Sequence, residues 1–169
     1  MIKKILTKDK ALDKLASLCS RSEQCESDLI RKLINWGVTS SERNDIIKYL
    51  KENRYIDESR YAKSFVNDKA KFSCWGPYKI RLELAKRKIS RIMVDEAIKN
   101  VEKSIWKESI LKCAKAKARN MDLVGEGARE NRQKLLRYLV SRGFPTGISS
   151  KVVIFMKQSQ EETDDKEMA

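Results

Sequence analysis

The chain has 169 residues and 41% apolar content, enough for one ordinary domain or several very small ones. Lysine and arginine total 37 against 24 acids, a net charge of +13, which points to a polyanionic partner: nucleic acid, a nucleoprotein or an acidic protein surface. There is no histidine and no Cys-x-x-Cys pair, which excludes the common zinc patterns and any histidine-based triad.

The excess charge does not come from the C-terminal end. From Lys157 onward there are two lysines and five acids, so residues 1–156 carry 35 bases and 19 acids, or +16. The start, Met1-Ile2-Lys3-Lys4, leads into Thr7-Lys8-Asp9-Lys10 rather than an apolar run, so no signal peptide is expected. No stretch of about 18 apolar residues is available to cross a membrane. Cys19, Cys25, Cys74 and Cys113 then read as reduced thiols, and a cytoplasmic protein is expected.

Glycine and proline are sparse and no alternating strand pattern stands out, so the chain is expected to be all-α. Ala11, Leu12, Leu15, Ala16 and Cys19 lie at helical spacing over about 8–20. The serines at 20, 22 and 27 offer start chemistry for a second helix, which turns Leu29, Ile30, Leu33 and Ile34 inward and is closed by Gly37. Thr39-Ser40-Ser41-Glu42 has capping-box spacing ahead of a third helix with Ile46, Ile47 and Leu50. Tyr55-Ile56-Asp57-Glu58 turns the chain into a fourth helix carrying Tyr61, Ala62, Phe65 and Val66. Gly76-Pro77 starts a fifth, since proline suits the first helical position. Ile80 and Leu84 form its apolar face, amid Lys79, Arg81, Lys86, Arg87 and Lys88, with Arg91 just beyond and a single acid, Glu83. Val94, Ala97, Ile98 and Val101 mark a sixth helix, and Ile105 to Met121 a long seventh. A loop around Gly125 and Gly127 precedes two more, one with Leu135, Leu136 and Leu139 and one with Val152, Val153 and Met156.

Setting Gly37, Lys88 and Gly143 equivalent, at offsets of 51 and 55, superposes much else. Leu29, Ile80 and Leu135 coincide, as do Leu33, Leu84 and Leu139, and Val38, Ile89 and Phe144 follow the turn in each copy. Thr39 matches Ser90 as a cap, whereas Pro145 interrupts that match in the third copy. Shared helical period alone does not hold two helices and their turn in register three times. The expected organisation is three tandem three-helix repeats forming an elongated, curved helical array. The repeats occupy 1–55, 56–103 and 104–157, followed by an acidic tail, 158–169. Units of that size bury little alone and gain buried area by stacking.

Enzyme readings are poor, and no catalytic residue, metal or cofactor is expected. Asp57 and Glu58 read as acids that complement a helix dipole. Gly125-Glu126-Gly127 lacks the Gly-Lys-Ser/Thr of a phosphate loop. Cys113 lies near Lys112 and Lys115, which would favour a thiolate, but a small residue packed between helices reads better. The basic patches are the stronger feature. Lys79 and Lys86, and Arg81 and Lys88, are seven apart and stack along a helix surface; Lys112, Lys115 and Arg119 share one side of the seventh helix. One such patch reads equally as a solvated face; two, on a +16 body, favour contact with nucleic acid or a nucleoprotein. Trp75 and Tyr78 are able to stack on bases, although anchoring a helix end is the better reading.

Three motifs make the chain similar to the RecX family, small regulators of the bacterial recombinase RecA. They are Tyr55-Ile56-Asp57-Glu58-Ser59-Arg60-Tyr61-Ala62, Gly76-Pro77-Tyr78-Lys79-Ile80-Arg81-Leu82-Glu83-Leu84, and Arg142-Gly143-Phe144 after an apolar helix. Their order and spacing match over roughly 8–157, with Tyr55, Asp57, Arg60, Gly76, Glu83, Gly143 and Phe144 as the motif positions. The chain departs from the family at Lys88, where glycine is usual and a lysine strains a left-handed turn, and in its acidic tail. The resemblance implies three three-helix repeats and a non-catalytic role in DNA recombination and repair. It also implies binding in the groove of a RecA–single-stranded-DNA filament, with inhibition of filament growth, strand exchange and coupled ATP hydrolysis. Single-stranded DNA, and duplex DNA as a second ligand, are the expected nucleic-acid partners; a monomer and no membrane are expected. Without the resemblance, the residues support a stand-alone basic helical-repeat protein that binds nucleic acid.

Overall fold

The structure, a computed structural model, describes residues 5–167, with side chains for 5–163. The described residues form nine α-helices and no strand: α1 (Lys8–Arg21), α2 (Glu26–Asn35), α3 (Ser40–Glu52), α4 (Glu58–Phe72), α5 (Pro77–Lys86), α6 (Arg91–Lys99), α7 (Lys103–Ala118), α8 (Ala128–Ser141) and α9 (Thr146–Glu167). The fold is all-α, and none of these helices is long and apolar enough to cross a membrane. Two compact units interleave along the chain: Met1–Phe65 with Glu83–Ala97, and Val66–Leu82 with Ile98–Ala169. The segment expected as a second repeat, 56–103, is therefore divided between them.

In the first unit, Ala11 and Leu15 of α1, Leu29 and Leu33 of α2, and Ile46, Ile47 and Leu50 of α3 meet in one core, joined by Val38 and Ile56. Thr39 opens α3 with a true capping box: its hydroxyl accepts the Glu42 N–H at 3.4 Å, and the Glu42 carboxylate accepts the Thr39 N–H at 3.2 Å. Two expectations for α2 fail. Its N-cap is Cys25, with no side-chain bond, so none of the serines at 20, 22 and 27 caps it; Glu26 and Asp28 face the positive helix end instead. Ile34 is 52% exposed, because Leu29 and Leu33 already fill the stripe that faces α1 and α3.

The second unit buries Ile110, Cys113, Ala114 and Ala118 of α7 against Leu135 and Leu139 of α8 and Val152 and Val153 of α9. The α7–α8 loop is held by polar contacts. Asp122 accepts the N–H groups of Val124 (2.9 Å) and Gly125 (2.8 Å), Gln160 accepts the Leu123 N–H (2.9 Å), and the Arg132 guanidinium donates to the Leu123 carbonyl (2.6 Å). Those two N–H groups, Gly125's first, hold the Asp122 carboxyl below its ordinary range. Gln160 lies in the stretch expected as a separate acidic tail. That stretch continues α9 to Glu167, with a Lys157–Glu161 pair at 2.9 Å; Met168 and Ala169 lie outside the described residues.

Residues 37, 88 and 143 share one turn geometry. Gly37, Lys88 and Gly143 have φ of 73°, 62° and 91°. Each donates to the carbonyl three residues back (Ile34, Ala85, Val140), and each following residue donates five back (Val38 to Leu33, Ile89 to Leu84, Phe144 to Leu139). This is the Schellman pattern, in which a left-handed residue lets the chain reverse and satisfies the last helix carbonyls. Val38, Ile89 and Phe144 are all buried, which supplies the accompanying apolar contact. Lys88 adopts the same conformation as the two glycines despite its side chain, so the departure from the family pattern does not change the turn.

Candidate nucleic-acid interface and the motif residues

The first motif builds a helix junction within the first unit. The Asp57 carboxylate accepts the Arg60 N–H at 2.9 Å, capping α4, while Ile56 is buried in the core. The Arg60 guanidinium then donates to Glu23 at 2.9 Å and to the Arg54 carbonyl at 3.0 Å. The Tyr55 amide donates to the Leu50 carbonyl at 2.8 Å, and its ring lies at the surface. Asp57 and Arg60 thus tie the end of α3 to the start of α4.

The second and third motifs meet in the second unit, although 67 residues separate Gly76 from Gly143. The Gly76 N–H donates to the Arg142 carbonyl at 2.8 Å and the Tyr78 N–H to the Gly143 carbonyl at 3.0 Å. The approach is backbone on backbone: a Cβ on Gly76 would overlap the Gly143 carbonyl and the Phe144 nitrogen, and a Cβ on Gly143 would overlap the backbone of Lys79. Arg142 completes the joint, its Nε donating to the Cys74 carbonyl at 3.0 Å and its Nη2 to the Ser73 carbonyl. These carbonyls follow the end of α4, where helix groups lack partners. Phe144 is buried in the core beside this joint.

The predicted basic residues fall into three kinds of surroundings. In the first unit, Glu83 accepts from Lys86 at 2.8 Å and from Arg87 at 3.4 Å; those contacts, Lys86 first, hold its carboxyl below the ordinary range. Arg87 also faces Asp28 at 3.5 Å and lies 5.1 Å over the Phe65 ring, so it is half-buried in internal pairs. Arg91 pairs with Asp95 at 3.5 Å. A groove of about 700 Å³ beside them is lined by four acids (Glu26, Asp28, Glu58, Glu83) and four bases (Arg31, Lys86, Arg87, Lys88), so its walls carry no net charge toward a polyanion. Lys88 is exposed, but it lies past the end of α5 in the left-handed turn. The expected helical stacking therefore does not extend to it.

In the second unit, Lys79 and Lys69 hold their ammonium groups 4.7 and 5.2 Å from the Trp75 ring, and the Arg81 guanidinium lies 5.9 Å over Tyr78. Trp75 is half-buried, in keeping with an anchor, whereas Tyr78 is 60% exposed. The α7 set differs from all of these. Lys112, Lys115 and Arg119 are exposed, and among the described residues none has an ion pair or hydrogen bond. From Ser109 to Met121 the sequence has no acid at all. Cys113, between these lysines, is buried in the core with its thiol 3.7 Å from the Tyr138 hydroxyl; burial, the dominant effect, pushes its pKa up, away from a thiolate. Among the described residues no group of three His, Cys, Asp or Glu side chains could hold a metal ion.

A family model described as the second three-helix domain of RecX matches residues 57–98. A regulatory protein RecX of Clostridium botulinum is 31% identical over 133 residues, covering 79% of this chain and 62% of that protein. One from Pseudomonas putida is 29% identical over 130 residues, 76% of this chain and 79% of the relative. The crystal structure of a regulatory protein RecX aligns with a TM-score of 0.72 at 25% identity, over 90% of this chain and 71% of that one. The crystal structure of RecX from Lactobacillus salivarius, at 20% identity and a TM-score of 0.71, shares the fold, over 89% of this chain and 96% of that one. Fold and matches together define an all-helical protein similar to curated proteins named regulatory protein RecX. The chain belongs to the RecX family. It spans about 62% of the length of the Clostridium botulinum relative.

Proposed function

We propose that the chain is a non-catalytic regulator that binds a RecA–single-stranded-DNA filament and limits filament growth, strand exchange and coupled ATP hydrolysis. Family membership supplies the partner, and the repeat of one turn geometry at residues 37, 88 and 143 supports the division into three helix triplets. The single observation that carries the nucleic-acid part is the α7 face, where Lys112, Lys115 and Arg119 are exposed and unpaired among the described residues. Unpaired cations can neutralise phosphates without first giving up a carboxylate, whereas Lys86, Arg87 and Arg91 would have to break existing pairs. Lys79 and Arg81, in the same unit as α7, are secondary contacts.

The test has two parts. Stoichiometric wild-type protein should inhibit DNA-stimulated ATP hydrolysis and strand exchange by RecA; no effect on either refutes the reading. The triple variant K112A/K115A/R119A should weaken DNA affinity and flatten the plot of log affinity against log salt by about 2, at roughly 0.7 per single-strand phosphate contact. An unchanged slope would remove α7 from the site.

A further inference from the structure

The second unit carries a groove of about 760 Å³ between α7, α9 and the turn that joins α8 to α9. Its floor is apolar: Trp106 and Ile110 of α7, Phe144 of the turn and Val152 of α9. On its rim Ile148 and Phe155, two turns apart on α9, remain 52% and 48% exposed. Large apolar side chains left open along one groove mark a docking surface more often than a random exposure. Among the described residues, the charged ones lining it are Lys103 and Lys107, one turn apart on α7, and Lys151 on α9. An apolar floor between two lysine-bearing walls is complementary to an amphipathic helix or strand with carboxylates along its edges. A phosphodiester chain has no apolar side chains to place on such a floor.

We propose that this groove seats an acidic amphipathic segment of the partner protein, apolar side chains down and carboxylates toward Lys103, Lys107 and Lys151. The assignment rests on the filament reading above and names the protein side of that contact, whereas the α7 face at Lys112, Lys115 and Arg119 meets DNA. The experiment compares wild type, Ile148→Glu, Ile148→Lys and Phe155→Asp for binding to RecA assembled on poly(dT) and to bare poly(dT), with circular dichroism confirming native helicity. Both altered residues are about half-exposed, so the fold does not depend on them. Expected results are filament affinity at least tenfold weaker for Ile148→Glu and Phe155→Asp, at least threefold tighter binding for Ile148→Lys than for Ile148→Glu, and bare-DNA affinity within twofold of wild type. Equal filament binding by all four proteins would overturn the proposal. So would parallel losses on bare DNA, which would make the groove a nucleic-acid site, or Ile148→Lys no better than Ile148→Glu, which would exclude an acidic partner. A wild-type dimer in sedimentation that Ile148→Glu dissolves would assign the groove to a second copy and overturn it as well. Wild type that fails to bind the filament refutes the functional reading itself, a pattern none of the groove outcomes shares.

Discussion

Lys88→Gly tests whether the turn at residue 88 is held against its own side chain. Lys88 has φ of 62°, and among the described residues its ammonium makes no ion pair or hydrogen bond, so removing the side chain forfeits no polar contact. A left-handed backbone costs an L-residue about 1–2 kcal/mol. Glycine avoids that cost but loses more freedom on folding, an offset of about 0.5–1 kcal/mol. The net expectation is a stabilisation of about 0.5–1 kcal/mol, a rise in melting temperature of roughly 2–4 °C per kcal/mol for a chain of this size. Urea unfolding followed by circular dichroism reads the change as a higher midpoint at constant slope. Lys88→Ala is the control, because it removes the same charge and keeps a Cβ in the left-handed position. The strain argument is refuted if Lys88→Gly is no more stable than Lys88→Ala.

The joint between the second and third motifs should be the least tolerant point of the second unit: Gly76→Ala or Gly143→Ala forces backbone against backbone and should cost about 3 kcal/mol or more in urea. Arg142→Ala leaves the Ser73 and Cys74 carbonyls without their donor and should cost about 1.5–3 kcal/mol, with Arg142→Lys restoring only part because one ammonium does not reproduce the guanidinium fork. Thr39→Ala removes the α3 cap and should lower stability by about 1 kcal/mol near neutral pH. The Glu42 partner in that box has its pKa lowered, first by the Thr39 hydroxyl and then by the Thr39 N–H. Its contribution is therefore present above the ordinary glutamate range and lost as pH falls through the lower folded value, so the penalty of Thr39→Ala should shrink in acid unfolding titrations.

Nine helices, their order and most of their inward faces were legible from periodicity, because a helix buries a stripe that recurs every three to four residues whatever it packs against. Capping chemistry at Thr39 and the left-handed turn at Gly37 and Gly143 were legible for the same local reason. Ile34 has the spacing of a core position, and only the packed neighbours of α2 decide that Leu29 and Leu33 fill the stripe. The acidic stretch has the composition of a tail, yet it continues α9, and Gln160 ties it to the distant Leu123 amide. Charge counts located the basic segments yet could not separate paired from unpaired cations, since Asp28 and Arg87 are 59 residues apart in sequence and 3.5 Å apart in space.

The chain alone therefore determined the all-helical class, the three turns in register and the basic character, all consequences of near-neighbour geometry and composition. Tertiary structure alone decided that Gly76 and Gly143 are a backbone joint, that Lys112, Lys115 and Arg119 of the α7 face are unpaired among the described residues while Lys86 of α5 is paired, and that Trp106, Ile148 and Phe155 line one groove. Each of those depends on residues far apart in sequence being brought within a few ångströms, and no local pattern encodes which distant partner arrives.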